Sequence, residues 1–336
     1  MKKVAIIGAG LQAERRIGPI ANDKDYKIAW IVGNKSVKAK LLAKQYGANY
    51  GYDWRSVVID KNMDVIVILT YPNTHAEISI TAMKNGKDVL CEKPLARTEK
   101  EAQDMIRVAN KTKRILKCGF NHRHHPAIIE AYNLFKSNLI GKPVFGRGRY
   151  GIAGREGLEK EWRSNPTIVS GGQLMEQGIH LVDLFRWFFG DVSAITGFIN
   201  TNYWKINPLE DNGFGLLQMK NGVVVSLHSS LTQWINLFEF EIYGEKGSLT
   251  VKGLGGAYGT EKLIINQYDP NGPFSYNTIE YRGADRSWEG EWKEFSKAVI
   301  TRTEPLGNGL DGLKALEIVN SIYKASKTGR TVNLER

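Results

Sequence analysis

Apolar residues fall in short, nearly unbroken runs through the first third of the chain and alternate with polar ones through its middle. The runs KVAIIGAG (3–10), YKIAWIVG (26–33), DVIVILTYPN (64–73), KDVLCEKP (87–94) and RILKCGFN (114–121) are each too short for a helix. Between them lie stretches with helical spacing: one opening at Leu11, one over 35–47 stopped by Gly47, one over 74–86 closed by Gly86, and one from Thr98 to about Lys111. Strands apolar on both faces and separated by helices predict a parallel sheet covered on both sides. Right-handed crossovers make such a sheet doubly wound.

From about Pro143 the pattern changes. PVFGRGRYGI, SAITGFIN, GFGLLQMKNGVVVSLHSS, LFEFEIYGEKGSLTV and EKLIINQY follow one another, several joined by Asn-Gly or Lys-Gly. Hairpins in series predict an antiparallel sheet, and the tail from Trp288 to about Lys327 returns to helical spacing. With 336 residues, the expectation is two tightly joined domains, 1–121 and 122–336, an α/β domain followed by an α+β domain.

The turn after the first strand carries chemistry. GAGLQA sets Gly8, Gly10 and Ala13 where a strand gives way to a helix, the G-x-G-x-x-A arrangement for a dinucleotide. Gly8 allows the tight turn, Gly10 lets a pyrophosphate approach, and Leu11 and Gln12 open the helix whose free N–H groups face it. NAD-specific sites usually place a carboxylate at the end of the second strand. Here stand Asn34, Lys35 and Ser36, with Lys38 beyond, so NADP is expected over NAD.

Ligands of doubly wound sheets lie beyond the carboxyl ends of the strands. Three such ends are polar: Thr70, Tyr71, Pro72, Asn73 and His75, with Asn73 a candidate helix cap; Glu92, Lys93 and Pro94; and Asn121 with the residues after it. Further on, Gly172 to Gly190 is apolar nearly all round, as in a buried helix. Yet Glu176 and His180 lie four apart on one face, and Asp183 lies a turn beyond. Charge on a buried helix needs partners.

Composition narrows the classes. Net charge is +11, but the basic residues are scattered and no nucleic-acid motif accompanies them. The start, MKKVAIIGAG, has too short an apolar run for an export signal, and no run of ~18 apolar residues would cross a membrane. The two cysteines, Cys91 and Cys118, sit in strand-like contexts, which fits a reduced cytoplasmic compartment. Neighbouring histidines His122, His124 and His125, read as extended, point to opposite sides. No further ligand spacing completes a site, so no metal is expected.

GAGLQA, TYPNTHAE, CEKPLA, GFNHRHHPA, EWRSNP and GGQLMEQGIHLVDLFRWFFG stand in an order and spacing that resembles the Gfo/Idh/MocA oxidoreductases, over essentially the whole chain. The resemblance implies a Rossmann domain followed by a domain with a large, open, mostly antiparallel sheet, and a homodimer or homotetramer built on that sheet. It implies NAD(P)-dependent hydride exchange with a hydroxyl or carbonyl of a sugar, cyclitol or related polyol. By motif it makes Lys93 the active-site lysine and His180 the acid–base residue. Glu176 replaces the family's more frequent aspartate. On this reading His180 exchanges the hydroxyl proton and Lys93 stabilises charge developing on the oxygen. Glu176 orients the substrate or His180, Arg123 and Arg163 are candidate substrate contacts, and Trp162 is placed to stack on a sugar ring. The alternative is a nucleotide-binding sensor on the same fold, without turnover.

Overall fold

The computed structural model describes residues 1–34, 37–273 and 275–334. By packing these form two compact units. One holds 1–121, 167–170 and 288–314, and the other holds the described residues of 122–166, 171–287 and 315–334.

The first unit is built on a six-stranded parallel sheet of β1 (Lys2–Ile7), β2 (Tyr26–Val32), β3 (Asn49–Gly51), β4 (Val65–Ile68), β5 (Asp88–Cys91) and β6 (Leu116–Cys118). The strand order is β3-β2-β1-β4-β5-β6. The helices between them are α1 (Leu11–Ala21), α2 (Val37–Gln45), α3 (Trp54–Ile59), α4 (Pro72–Lys84) and α5 (Glu99–Thr112). The central strands β4 and β5 are buried at every residue, which is why they read as unbroken apolar runs. The order reverses beside β1, so the turns after β1 and β4 open on the switch point where such sheets take ligands.

Several expectations change in detail. Tyr71, not Asn73, is the cap position of α4, with Pro72 in the first turn, because proline's fixed φ and missing N–H suit that place. Thr98 caps α5, and its hydroxyl and the Glu101 carboxylate bond reciprocally to each other's backbone N–H. The short β3 and α3 went unread.

The expected second domain ran from 122 to the end, but the helix α8 (Ser287–Thr301) belongs by packing, from Trp288 on, to the first unit. Its Trp292, Phe295 and Val299 sit in one core with Ile17 and Ile20 of α1 and Val4 and Ile6 of β1. Trp292 also meets the Tyr26 ring edge-on at 5.0 Å and donates from Nε1 to Asp23 at 2.9 Å. A helix far along the chain is claimed by the apolar face it fits, not by sequence position.

In the second unit nine strands form one sheet: β7 (Pro143–Ala153), β8 (Val192–Asn200), β9 (Asn212–Met219), β10 (Val224–Ser230), β11 (Thr232–Gly244), β12 (Gly247–Lys252), β13 (Glu261–Gln267), β14 (Ser275–Tyr281) and β15 (Val332–Asn333). The order is β14-β13-β12-β11-β7-β10-β9-β8-β15. All pairings are antiparallel except β7 with β10. One face of this unit carries α6 (Pro126–Lys136) and α7 (Ile179–Phe189). α8 (Ser287–Thr301) leads to α9 (Gly309–Thr328), whose residues from 315 on lie in this unit. A Cβ at Gly148 of β7 would lie 2.9 Å from Leu181 and 3.2 Å from Phe185, so its absence lets α7 settle close on the sheet. On the opposite face Glu239 and Glu241 of β11 pair with Arg149 and Arg147 of β7.

Candidate active site

In the first unit the glycine turn is shaped for a close ligand. Gly8 has φ +108°, and a Cβ there would lie 2.6 Å from the Leu69 carbonyl oxygen, so no other residue fits. Gly10 has nothing within 4 Å of its would-be Cβ, and it heads α1 without a side-chain cap. The open space and the uncapped N–H groups are where a pyrophosphate fits. Leu11 is exposed, and Gln12 beside it has a buried Oε1 that accepts no hydrogen bond among the described residues. Asn34 is exposed at the end of β2, whereas Lys35 and Ser36 lie outside the described residues. Lys38, the other cation expected there, pairs with Glu14 at 2.7 Å, both side chains being nearly half exposed.

The segment C-E-K-P ends a buried strand in charge, and the structure gives the reason. Glu92 is buried. Its carboxylate lies 2.6 Å from the guanidinium of Arg16 on α1, and Arg16 also binds Glu291 of α8. Desolvation disfavours charge on Arg16, but the two carboxylates outweigh it and hold the guanidinium protonated. The second carboxylate oxygen of Glu92 accepts the Lys93 backbone N–H at 3.2 Å. Glu92, expected to touch cofactor, is a buried anchor for the lysine turn.

His75 moves in the same way. It is fully buried, Nδ1 lies 2.9 Å from the Pro94 carbonyl and Nε2 3.1 Å from the Thr70 carbonyl, so the ring bridges two turns and is not free to touch cofactor. Burial is the main influence on it and pushes its pKa down. The Thr70 hydroxyl is 2.7 Å from that of Thr74, and Tyr71 is exposed at the head of α4. Asn121 is buried at the start of a 3-10 turn, Asn121–His124. Burial also pushes the Cys91 thiol up, which leaves it unreactive.

In the second unit the expected buried helix begins as one turn of π-helix, Leu174–Gly178, before α7. Such turns widen the helix by one residue and recur at functional sites. Glu210 anchors the widened turn. It accepts the N–H groups of Gly172 and Leu174, both at 2.9 Å, and the Tyr323 hydroxyl at 2.9 Å. Burial pushes the Glu210 carboxyl up. Glu176 lies on the π turn, half-buried, with the Arg163 Nε at 3.5 Å, and the Arg163 guanidinium sits 4.4 Å over the Trp162 ring. Three of the predicted residues, Glu176, Arg163 and Trp162, therefore gather in one place one turn before His180.

Arg123 does not join them. It is buried and bonds both carboxylate oxygens of Asp183, at 2.8 and 2.6 Å, with its guanidinium 5.4 Å from the Trp187 ring. That makes Arg123 a structural ion pair, which also answers what the charge of Asp183 pairs with. The three histidines are not on an extended segment, contrary to expectation: His122 and His124 are wound in the 3-10 turn, and His125 follows as the cap of α6. Three residues per turn bring His122 and His125 to the same side, 5.5 Å apart and edge to face. Nδ1 of His125 is 2.9 Å from Glu261. Sequence reasoning weighed His122 only as a metal ligand, whereas its ring stacks on His180. It passed over Arg16, although an arginine three residues after Ala13 falls on the buried side of α1.

Residues 2–120 match the model of an oxidoreductase family with NAD-binding Rossmann fold, and residues 128–250 match the GFO/IDH/MocA C-terminal domain. The chain belongs to the Gfo/Idh/MocA family. As a family member it is an oxidoreductase with an NAD-binding domain. It is 28% identical over 240 residues to levoglucosan dehydrogenase of Pseudarthrobacter phenanthrenivorans, covering 62% of this chain and 61% of that one. It is 24% identical to D-apiose dehydrogenase of Rhizobium rhizogenes over 99% of this chain and 97% of the relative. The crystal structure of aldose-aldose oxidoreductase from Caulobacter crescentus, complexed with glycerol, superposes with a TM-score of 0.87 at 25% identity, over 99% of both chains. No helix among the described residues is long and apolar enough to cross a membrane.

Proposed function

We propose that this Gfo/Idh/MocA protein is a dehydrogenase or reductase of a sugar, cyclitol or sugar derivative, using NADP in preference to NAD. The observation that carries this reading is the cluster of Trp162, Arg163 and Glu176 on the turn leading into His180: an aromatic face, a forked donor and a carboxylate suit a polyhydroxylated ring. Relatives named for levoglucosan, D-apiose and aldoses support the same substrate class.

In the oxidising direction the substrate carbon loses its C–H bond as hydride while the hydroxyl loses its proton, leaving a carbonyl. Bound nicotinamide supplies the hydride acceptor. His180 takes the proton, the general-base role an imidazole commonly fills. Lys93 donates a hydrogen bond to the oxygen as charge develops, and Glu176 orients the substrate. Gly8, Gly10, Leu11 and Gln12 would hold the pyrophosphate. Asn34, Thr70, Tyr71, Pro72, Asn73, Pro94 and Asn121 would line the rest of the nucleotide's path. NADP is favoured because β2 ends in Asn34 with no carboxylate, and the exposed Lys38–Glu14 pair is weak enough to be exchanged for a phosphate.

We further propose a cytoplasmic homodimer or homotetramer. The face of the nine-stranded sheet opposite α7 exposes Phe198, Phe214 and Leu216 and holds a groove of about 930 Å³. Mixing the protein with NADP⁺ or NAD⁺ and a panel of sugars, inositols and nucleotide sugars tests the activity, read as reduced nicotinamide at its absorbance band. Cofactor binding with no turnover on any polyol would favour the sensor alternative.

A further inference from the structure

His122 and His180 lie face to face, with ring centroids 3.7 Å apart and planes 19° from parallel. They are 6% and 4% exposed. His122 rises from the 3-10 turn and His180 from the first turn of α7, so two separate elements present two titratable rings to each other. Nε2 of His122 is 3.1 Å from the Tyr150 hydroxyl, and Phe238 packs on its flank at 5.8 Å. The elements that carry the pair bring other charged and titratable groups with them. Arg123 holds Asp183, and His125 bonds Glu261 with Asp285 at 3.9 Å. Tyr258 accepts from Gln177, Glu176 faces Arg163, and His124 sits on the same turn as His122.

We propose that His122 is a positioning residue for the acid–base imidazole. Its ring, with the Tyr150 hydroxyl assigned as donor to Nε2, is the aromatic face that carries the imidazolium formed on His180 when a substrate hydroxyl gives up its proton. This rests on the reading of His180 given above. Two imidazoles stacked this closely take up one proton between them, because a second charge would be opposed by the first across the shared face. With the Tyr150 O–H assigned as donor to Nε2 of His122, the lone pair on which that ring would be protonated is taken. The proton therefore goes to His180, and an imidazolium over a neutral aromatic face, with water excluded, is attracted to the ring's π-electrons.

The test is the acid limb of the kcat/KM against pH profile in the oxidising direction, which reports the free enzyme's essential base. His122→Ala removes the aromatic face, so the limb moves to lower pH by about half to one and a half units. His122→Phe keeps the face and returns the limb to the wild-type position. Tyr150→Phe frees His122 to compete for the proton, so the limb moves to higher pH. A purely structural role would lower turnover or the melting temperature in these variants and leave the limb in place, and that result overturns the proposal. Should His122→Ala fail to fold, His122→Phe and Tyr150→Phe decide: a Tyr150→Phe limb at the wild-type position overturns it. The control is His180→Ala. If that variant turns over like wild type, the reading of His180 itself falls. If it is inactive while the other limbs stay put, only the role of His122 falls.

Discussion

The Glu92 carboxylate lies 2.6 Å from the Arg16 guanidinium, and both side chains are buried. This contact joins α1, the helix that the glycine turn opens, to the turn that carries Lys93. A movement of α1 on binding nucleotide would be felt at the lysine backbone, because the same carboxylate also holds the Lys93 N–H. Removing one partner of a buried pair strands the other. Arg16→Ala is expected to cost about 3–5 kcal/mol of stability, measured by urea unfolding. Arg16→Lys should recover only part of it, since one ammonium does not replace a planar fork shared by two carboxylates.

Gly8 and Gly10 separate folding from binding. Gly8→Ala puts a methyl group against the Leu69 carbonyl at a positive φ, so thermal stability and cofactor affinity should both fall. Gly10→Ala meets nothing in the protein. Its melting temperature should stay near wild type while the cofactor Kd, read by fluorescence titration, rises tenfold or more, equivalent to ~1.4 kcal/mol.

Burial raises the pKa of Glu291, beside the Arg16–Glu92 pair. A carboxyl with a folded pKa above its unfolded one binds its proton more tightly when folded. Its stabilising contribution is complete below the ordinary carboxylate range and is lost as pH rises through the elevated folded value. Glu291→Gln removes that loss and leaves Arg16 with one carboxylate. The variant should gain on wild type as pH is raised from about 4 towards 8, in urea midpoints taken across that range. An advantage that shrank as pH rose would contradict this account.

Arg123 and Arg163 should behave oppositely. Arg123→Ala breaks a buried bidentate pair and is expected to destabilise by about 3–5 kcal/mol. Arg163→Ala, at a half-exposed position, should leave the melting temperature almost unchanged and raise KM for the sugar several-fold. Steady-state kinetics beside a thermal melt distinguishes the two.

Lys93→Ala and His180→Ala are each expected to lower kcat by ~10²-fold or more with cofactor affinity retained. Stopped-flow traces of bound reduced cofactor check both quantities in one sample.

Much of this was legible in the chain because the signals are local. Unbroken apolar runs gave away β1, β2, β4, β5 and β6, and Gly8 and Gly10 stand beside the strand they follow. The three-residue β3 and the six-residue α3 are too short for periodicity to register. Roles fixed by distant partners were out of reach. His75 and Arg123 looked like ligand contacts because polar residues near strand ends often are, but carbonyls and a carboxylate brought in by folding had already claimed them. The pairing of His122 with His180 likewise needs a turn and a helix from separate parts of the chain to meet.

The widened turn at Leu174–Gly178 makes this helix sensitive to length in a way substitutions would not reveal. Deleting one residue there, Gln177 for example, would let regular α-helix run through without losing an apolar side chain, and because the wide turn spreads one extra residue over nearly the same rotation, the flanks would keep their faces while the residues inside the turn moved. Glu176, inside that turn, would lose the outward bulge that now carries it. Among relatives of this chain, one missing residue at that turn would shift the position of Glu176 while leaving the helix that carries His180 in place.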